Sequence, residues 1–306
     1  MRNNNIISEN AAKELSLYGK IEFNSEFSLY TTFKTGGVAD ILIEPFSEES
    51  IKSIIRIVKD EGILLQIIGG GSNLLISDKG LRGATLKISG LENSFRTLDG
   101  YIYAGAALSK EKFISEAVAA GFGGIEFMAG IPGSIGGGIF MNAGTYMGSF
   151  VDILKKIRGV DFDGSLIEVD AVAGISCYRK MNLPENTVIT GGIFSLPVND
   201  NIEAARKRVE DIIRDRWSKH PMDYPSAGSV FKNPEGLSSW KLINDSGLKG
   251  YRIGGAMVSE KHTNFIINAG NASSNDVYNL INHIQDTVFR ASGVRLETEI
   301  RIMGEF

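Results

Sequence analysis

With 306 residues, 43% of them hydrophobic, the chain is long enough to bury the cores of two domains. A formal net charge of −4, with no block of like charges, excludes a general nucleic-acid or membrane-facing surface, so any anionic ligand must meet locally placed Arg and Lys. One cysteine, Cys177, excludes an intramolecular disulfide and any Cys-rich zinc or iron–sulfur site, and it fits a reducing compartment.

The amino-terminal Met1-Arg2-Asn3-Asn4-Asn5-Ile6-Ile7-Ser8-Glu9 lacks the apolar segment of a signal peptide, and no later stretch approaches a membrane span, so a soluble cytoplasmic protein is expected. Val38 to Glu44 reads as a strand. Ser47, followed by Glu48 and Glu49, suits a helix N-cap, and Ile51, Ile54, Ile55 and Val58 keep one helical face until Asp60-Glu61-Gly62. Ile63 to Ile68 is the next buried strand, giving a βαβ unit. Short strands follow at Ala84 to Ile88 and Tyr101 to Ala104, then a helix from Ser109 to about Ala120 closed by Gly121. Ile153 to Val169 reads as a hairpin turning at Asp163-Gly164, and Val188 to Leu196 as a strand.

Pro197-Val198-Asn199-Asp200-Asn201 breaks that strand before a charged amphipathic helix from Ile202 to about Trp217. The junction is placed there, giving a domain over 1–200, with lobes of about 1–90 and 91–200, and a second over 201–306. A helix near Ser239 to Ser246, strands around Ala256 and Phe265 to Ile267, a helix from Asn275 to Ala291 and a final strand from Val294 to Ile302 complete the chain.

Three glycine-rich polar segments interrupt this order: Gly69-Gly70-Gly71-Ser72-Asn73, Gly130-Ile131-Pro132-Gly133-Ser134-Ile135-Gly136-Gly137, and Ser226-Ala227-Gly228-Ser229-Val230-Phe231-Lys232-Asn233. Without Cβ atoms, consecutive main-chain N–H groups can crowd around phosphate oxygens, so two such loops suggest a long, multiply charged cofactor. Neither G-x-G-x-x-G nor G-x-x-x-x-G-K-[ST] occurs, which removes the dinucleotide fingerprint and the P-loop. Gly130, Gly133, Gly136, Gly137 and Gly138 are unfavourable in helix and strand alike and point to a loop, with Asn142 offering an amide beside it.

Other residues stay open between structure and chemistry. Ser229 is either a hydrogen-bonded turn serine or a proton donor supported by Lys232. Arg179 is either a surface charge or a bidentate grip on a carboxylate. Glu297, Glu299 and Arg301 share one face of the closing strand. Arg216, in a run that usually makes a solvated helix end, is a candidate contact for a diphosphate. His220, His262 and His283 lack ligand spacing, so no metal is expected, and Cys177 reads as a small packed residue.

Taken together, these residues resemble the UDP-N-acetylenolpyruvoylglucosamine reductases. The likeness runs from Thr31-Thr32-Phe33-Lys34-Thr35-Gly36-Gly37 to Leu296-Glu297-Thr298-Glu299-Ile300-Arg301, with Ser226 to Pro234 its most specific signature. The resemblance implies the α+β FAD-binding fold of the vanillyl-alcohol oxidase / p-cresol methylhydroxylase superfamily, plus a smaller carboxy-terminal α+β substrate domain. The short tract between Ser195 and Ser226 matches the compact second type of the family.

By the same resemblance, Gly69, Gly70, Gly71, Ser72, Asn73, Leu74, Gly130, Ile131, Pro132, Gly133, Ser134, Gly136, Gly137 and Asn142 hold FAD. The loops contain no histidine, so the flavin is expected to be non-covalent. NADPH would reduce it, and reduced flavin would pass hydride to the enolpyruvyl ether of a UDP-sugar for cell-wall peptidoglycan synthesis. Ser229 would be the proton donor, with Arg179 and Glu299 orienting and polarising the enolpyruvyl carboxylate. Tyr178, Arg216, Lys232, Asn233 and Arg301 would contact substrate. Met181 departs from the serine common in the family two positions after the arginine. A monomer is expected, with no nucleic-acid or membrane partner. The rival readings are an FAD oxidase of the same superfamily acting on an alcohol or sugar, and a flavin-binding module without chemistry.

Overall fold

A computed structural model describes residues 6–184 and 186–306. Met1 to Asn5, part of the amino-terminal stretch read above, lie outside the described residues. The chain begins with α1 (Glu9–Leu15), β1 (Gly19–Glu26) and β2 (Val38–Pro45). Next come α2 (Glu48–Asp60), β3 (Leu65–Ile68), β4 (Leu74–Ile76) and β5 (Leu81–Lys87). Ser47 caps α2 by accepting the Ser50 N–H at 3.1 Å, and Gly62 leaves it at φ +67°, so both sequence signals act where they stand.

β6 (Phe95–Leu98), β7 (Tyr101–Gly105), α3 (Lys110–Ala119) and α4 (Ile135–Phe140) follow, then β8 (Gly144–Thr145), β9 (Gly148–Ser149) and α5 (Phe150–Ile153). β10 (Leu154–Val160) and β11 (Leu166–Asp170) form the expected hairpin, and its turn is tied by Asp161 Oδ1, which accepts the N–H of Asp163 and of Ser165. β12 (Ser176–Cys177) and β13 (Lys180–Met181) make a second, minimal hairpin that periodicity could not show. β14 (Val188–Phe194) and α6 (Ile202–Lys219) lead to β15 (Ser226–Ser229), α7 (Ser239–Asp245), β16 (Arg252–Ile253) and β17 (Ala256–Val258). β18 (Phe265–Asn268), α8 (Ser274–Ser292) and β19 (Arg301–Met303) end the chain.

Two compact units emerge, each built from interleaved segments. The first takes the residues up to Phe23, Ile41–Gly70 and Gly83–Arg214. It carries a four-stranded sheet in the order β1-β2-β5-β3, with β5 inserted between the strands of the expected βαβ unit and parallel to β3. An antiparallel five-stranded sheet in the order β11-β10-β14-β7-β6 places β14 at its centre. Its core includes Ile41, Ile54, Phe113, Ile139, Phe150 and Phe194. α6, expected to open the second domain, buries Ala205 and lays Val209, Ile212 and Ile213 on this core. The compact division therefore falls near its end rather than at 200/201.

The second unit comprises Asn24–Asp40, Gly71–Arg82 and Asp215–Phe306. Its sheet runs β15-β18-β17-β16, and a separate parallel pair joins β4 to β19 with Arg301 opposite Leu74. Phe33 and Leu75 enter the same core as Val230, Phe231, Ile266, Leu280 and Ile284, which explains why two early segments belong with the carboxy-terminal part. Asp78 caps α8 across a long sequence separation, accepting the N–H of Ser274 and of Asn275 at 2.8 Å each. Both units mix helices and sheets, so the fold is α+β. Among the described residues no helix is long and apolar enough to cross a membrane.

Candidate functional site

In the first unit the end of β3 delivers Gly69 and Gly70 against the second glycine segment. A Cβ at Gly70 would lie 3.2 Å from Gly133 Cα and 3.3 Å from Ser134 N, and one at Gly69 would lie 3.3 Å from Ser134 Oγ. Gly130 (φ +72°) and Gly133 (φ +103°) hold the left-handed conformations that let this backbone turn so closely. Among the described residues, the turn and loop bonds give the N–H groups of Gly70, Gly133 and Ser134 no backbone acceptor. Bare donors on side-chain-free backbone fit the phosphate oxygens of a dinucleotide cofactor such as FAD.

The loop is braced by Lys110, which sequence reasoning passed over. Only 5% exposed, it donates from Nζ to the Pro132 carbonyl at 2.9 Å and from its backbone N–H to Gly133 O at 3.0 Å. A lysine on the inward face of α3 was the signal available. Ile131 donates its N–H to Met128 O at 2.9 Å, closing the turn that leads into the segment.

The expected loop does not continue through Gly138, because Ile135–Phe140 form α4, a helix built on three glycines. Packing overrides propensity here. A Cβ at Gly136 would sit 2.8 Å from Ala106 Cβ, and one at Gly138 would sit 2.3 Å from Phe150 Cζ. Those two glycines admit neighbouring side chains. Gly137 instead is capped by Ser134, donating its N–H to Ser134 Oγ at 3.3 Å. Asn142, 7% exposed at φ +40°, spends its amide within the unit: Oδ1 accepts Val151 N–H at 3.0 Å and Nδ2 donates to Cys177 O at 3.4 Å.

Arg179 stands at the tip of the β12–β13 hairpin with φ +60°, an unusual conformation for a residue with a side chain. Its Cζ lies 4.9 Å from the Tyr178 ring centroid, so the neighbouring tyrosine stacks on the guanidinium. Cys177, read above as packed, is exposed and unpaired in any disulfide; the hairpin's buried position is taken by Met181, 4% exposed. The register explains this, since Cys177 pairs with Lys180 and Ser176 with Met181.

In the second unit, Gly71 at φ +68° passes so close to Tyr30 that a Cβ would meet its carbonyl oxygen at 1.8 Å. Asn73 then ties this loop to the end of the chain: Nδ2 donates to Glu299 O at 3.1 Å, and its own carbonyl accepts Arg301 N–H at 2.9 Å. The final segment is not a strand from Val294, since only Arg301–Met303 pairs regularly. Before it, Lys232 N–H donates to Glu297 O at 2.9 Å and Glu299 N–H to Val230 O at 2.7 Å, laying Glu299 beside the Ser229 segment. Leu296 and Ile300 face the core, leaving Glu297, Glu299 and Arg301 on the other side, as the alternation required.

Ser229 ends β15 after Gly228 (φ +77°), and among the described residues no hydrogen bond engages its Oγ. Asn264, a residue the sequence did not single out, clamps the next two positions. Its carbonyl accepts Val230 N–H, Oδ1 accepts Phe231 N–H, and Nδ2 donates to Phe231 O. Lys232 Nζ lies 3.4 Å from a Glu297 carboxylate oxygen, and Asn233 Oδ1 accepts Ser239 N–H at 3.0 Å, so part of each is engaged in holding α7 and the strand end.

Arg216 Nε is buried with no hydrogen-bond partner among the described residues, and burial lowers the pKa of this guanidinium. Such a group suits an anionic ligand. Two of the histidines thought scattered meet beside it: the His220 and His262 rings are 5.0 Å apart, each 5.1 Å from Phe265. Desolvation, with His220 second, drives His262 down to a pKa of about 4. Among the described residues no group of three or more His, Cys, Asp or Glu side chains is placed to hold a metal.

Comparison with known proteins gives the amino- and carboxy-terminal parts of the chain separate family matches. A family model described as an FAD binding domain matches residues 39–170, and one described as the UDP-N-acetylenolpyruvoylglucosamine reductase C-terminal domain matches residues 220–303. The chain is 41% identical over 294 residues to a UDP-N-acetylenolpyruvoylglucosamine reductase from Caldanaerobacter subterraneus subsp. tengcongensis, covering 96% of this chain and 97% of that one. It is 39% identical to one from Carboxydothermus hydrogenoformans, over 92% and 93% of the two chains. The crystal structure of the Thermus caldophilus enzyme superposes with a TM-score of 0.80 at 31% identity, over 94% of this chain and all of that one. Its two family domains and these full-length likenesses establish that the chain belongs to the UDP-N-acetylenolpyruvoylglucosamine reductase family.

Proposed function

We propose that this chain is an NADPH-dependent flavoenzyme that reduces UDP-N-acetylglucosamine enolpyruvate to UDP-N-acetylmuramate, a step in peptidoglycan precursor synthesis. Non-covalent FAD, when bound, carries hydride from NADPH to the enol ether. Gly69, Gly70, Gly71, Ser72, Asn73 and Leu74, with Gly130 to Gly137, would hold its diphosphate through main-chain donors.

The substrate's difficulty is electronic. Hydride arriving at the terminal methylene leaves carbanion character on the carbon beside the carboxylate, where negative charge is already present. The chain must therefore hold that carboxylate and deliver a proton to that carbon. We assign the first task to Arg179, whose planar fork matches a carboxylate, with Glu299 orienting the same group and Tyr178 stacked on the guanidinium. The second falls to Ser229. Its hydroxyl is the observation that carries the reading, because it is fixed by backbone bonds on either side and spent on no structural partner. Lys232, Asn233 and Arg301 would support the sugar nucleotide, and Arg216 its diphosphate.

NADPH and a nucleotide sugar are metabolites of the cell interior, so the protein is placed in the cytoplasm; that it acts as a monomer is a separate part of the proposal. The test is anaerobic: reduce the flavin with NADPH, add the enolpyruvyl UDP-sugar and follow the flavin absorbance. Return of the oxidised spectrum is expected in the wild type. Ser229→Ala should still be reduced by NADPH yet lose about 10²–10⁴-fold in substrate-driven reoxidation. Reoxidation only on admitting air would replace this reading with the oxidase, and an unimpaired Ser229→Ala would remove the serine from the mechanism.

A further inference from the structure

We propose that Asn142 is a positioning residue for Arg179, acting on the hairpin that carries it. The inference rests on Arg179 gripping the substrate carboxylate. A hairpin of two-residue strands cannot hold itself in water. Here it must also keep Arg179 at φ +60°, a conformation that persists only where the surroundings impose it.

The two strands are anchored differently. On β13, Met181 is buried in the core and packs where α4 meets that strand. Just beyond it, Asn182 donates its N–H to Ile175 O at 2.7 Å and its Nδ2 to Gly174 O at 3.3 Å, closing the base of the hairpin. β12 has no buried apolar anchor, since Cys177 is exposed. Among the described residues, its one hydrogen bond outside the hairpin is from Asn142 Nδ2 to Cys177 O, on the residue just before the Tyr178-Arg179 turn.

Asn142 is itself immobilised. Its N–H donates to Ile139 O at 2.9 Å at the end of α4, its Oδ1 receives the Val151 N–H at the start of α5, and it is 7% exposed. The helix before it is locked by Gly136 against Ala106 and Gly138 against Phe150. Beside the packing of Met181, one hydrogen-bonded path from the cofactor-loop helix to the hairpin thus runs through this amide. That path requires an amide, with an acceptor at one end and a donor at the other. A carboxylate would keep the Val151 bond but turn an oxygen toward the Cys177 carbonyl.

Asn142→Asp therefore separates positioning from cofactor binding. With its side-chain amide engaged by Val151 and Cys177, Asn142 is on this proposal not the FAD contact that the resemblance implies, so FAD content and flavin reduction by NADPH should match the wild type while substrate-driven reoxidation slows about 10-fold, the loss of one buried bond. Because the effect passes through Arg179, Asn142→Asp combined with Arg179→Ala should be no slower than Arg179→Ala alone, a non-additivity that a general loosening of the fold would not give. If Asn142→Asp fails to fold, Asn142→Ser removes both ends of the amide, the donor to Cys177 and the acceptor for Val151, without burying a charge, and the same split is expected. Loss of FAD with reoxidation of the flavin-bound fraction unchanged would overturn the proposal in favour of a cofactor contact, as would full additivity in the double variant. Slow Arg179→Ala beside normal Asn142→Asp and Asn142→Ser would sink the positioning role alone, whereas a normal Arg179→Ala would sink the reading of the arginine on which it rests.

Discussion

Asn264→Ala is the sharpest perturbation of the segment that carries Ser229. The side chain is 5% exposed and brackets Phe231, itself 1% exposed, with Oδ1 accepting the Phe231 N–H at 2.9 Å and Nδ2 donating to the Phe231 carbonyl at 2.8 Å. On the opposite edge the closing segment bonds Val230 and Lys232, skipping Phe231, so among the described residues no other main chain bonds it. Truncation leaves one buried donor and one buried acceptor unsatisfied, each costing about 1–3 kcal/mol, for a total of about 2–6 kcal/mol. Urea unfolding should show a lower midpoint with an unchanged slope. Hydrogen exchange at the Phe231 amide should accelerate in proportion. A loss below about 0.5 kcal/mol, the range of ordinary surface changes, would refute the argument, since it would mean that water or a shifted neighbour replaces both bonds.

Gly138→Ala should destabilise the first unit by about 1–3 kcal/mol, since the new methyl would sit 2.3 Å from a Phe150 ring carbon inside a packed core; calorimetry showing an unchanged transition would contradict this. For His262 the folded pKa of about 4 lies below the ordinary 6.5, because burial disfavours the charged ring. Above pH 6.5 neither state holds the extra proton. As pH falls toward 4 the unfolded chain takes it up and the folded one does not, so stability is lost over that window by at most about 1.4 kcal/mol per pH unit, and His220, also lowered by burial, steepens the fall. His262→Phe should flatten this acid limb, and equal slopes in the two proteins would count against the buried-histidine account.

Residue chemistry alone settled what depends on near neighbours. Ser47 and Ser109 cap helices because a hydroxyl reaches the N–H three residues on, and Gly62 and Gly121 end them at φ +67° and +81°. The burial alternation of Leu296 to Arg301, the Asp163-Gly164 turn and the long amphipathic helices were legible for the same reason. So were the glycine segments and the signature around Ser229, because residue types and their spacing are read directly from the chain.

Tertiary structure decided what depends on partners far along the chain. No local signal says that Leu74 pairs with Arg301, that Asp78 caps α8, or that Gly136 to Gly138 form a helix because Ala106 and Phe150 occupy the space a Cβ would need. Nor could two-residue strands be read by periodicity, so the hairpin with Arg179 at its tip, the burial of Met181 and the bond from Asn142 to Cys177 became visible only in the folded unit. Caps, turns and alternation are fixed within a few residues by sterics and local hydrogen bonds. Strand partners, close-packed glycines and borrowed amide bonds exist only once distant segments have closed on a shared core.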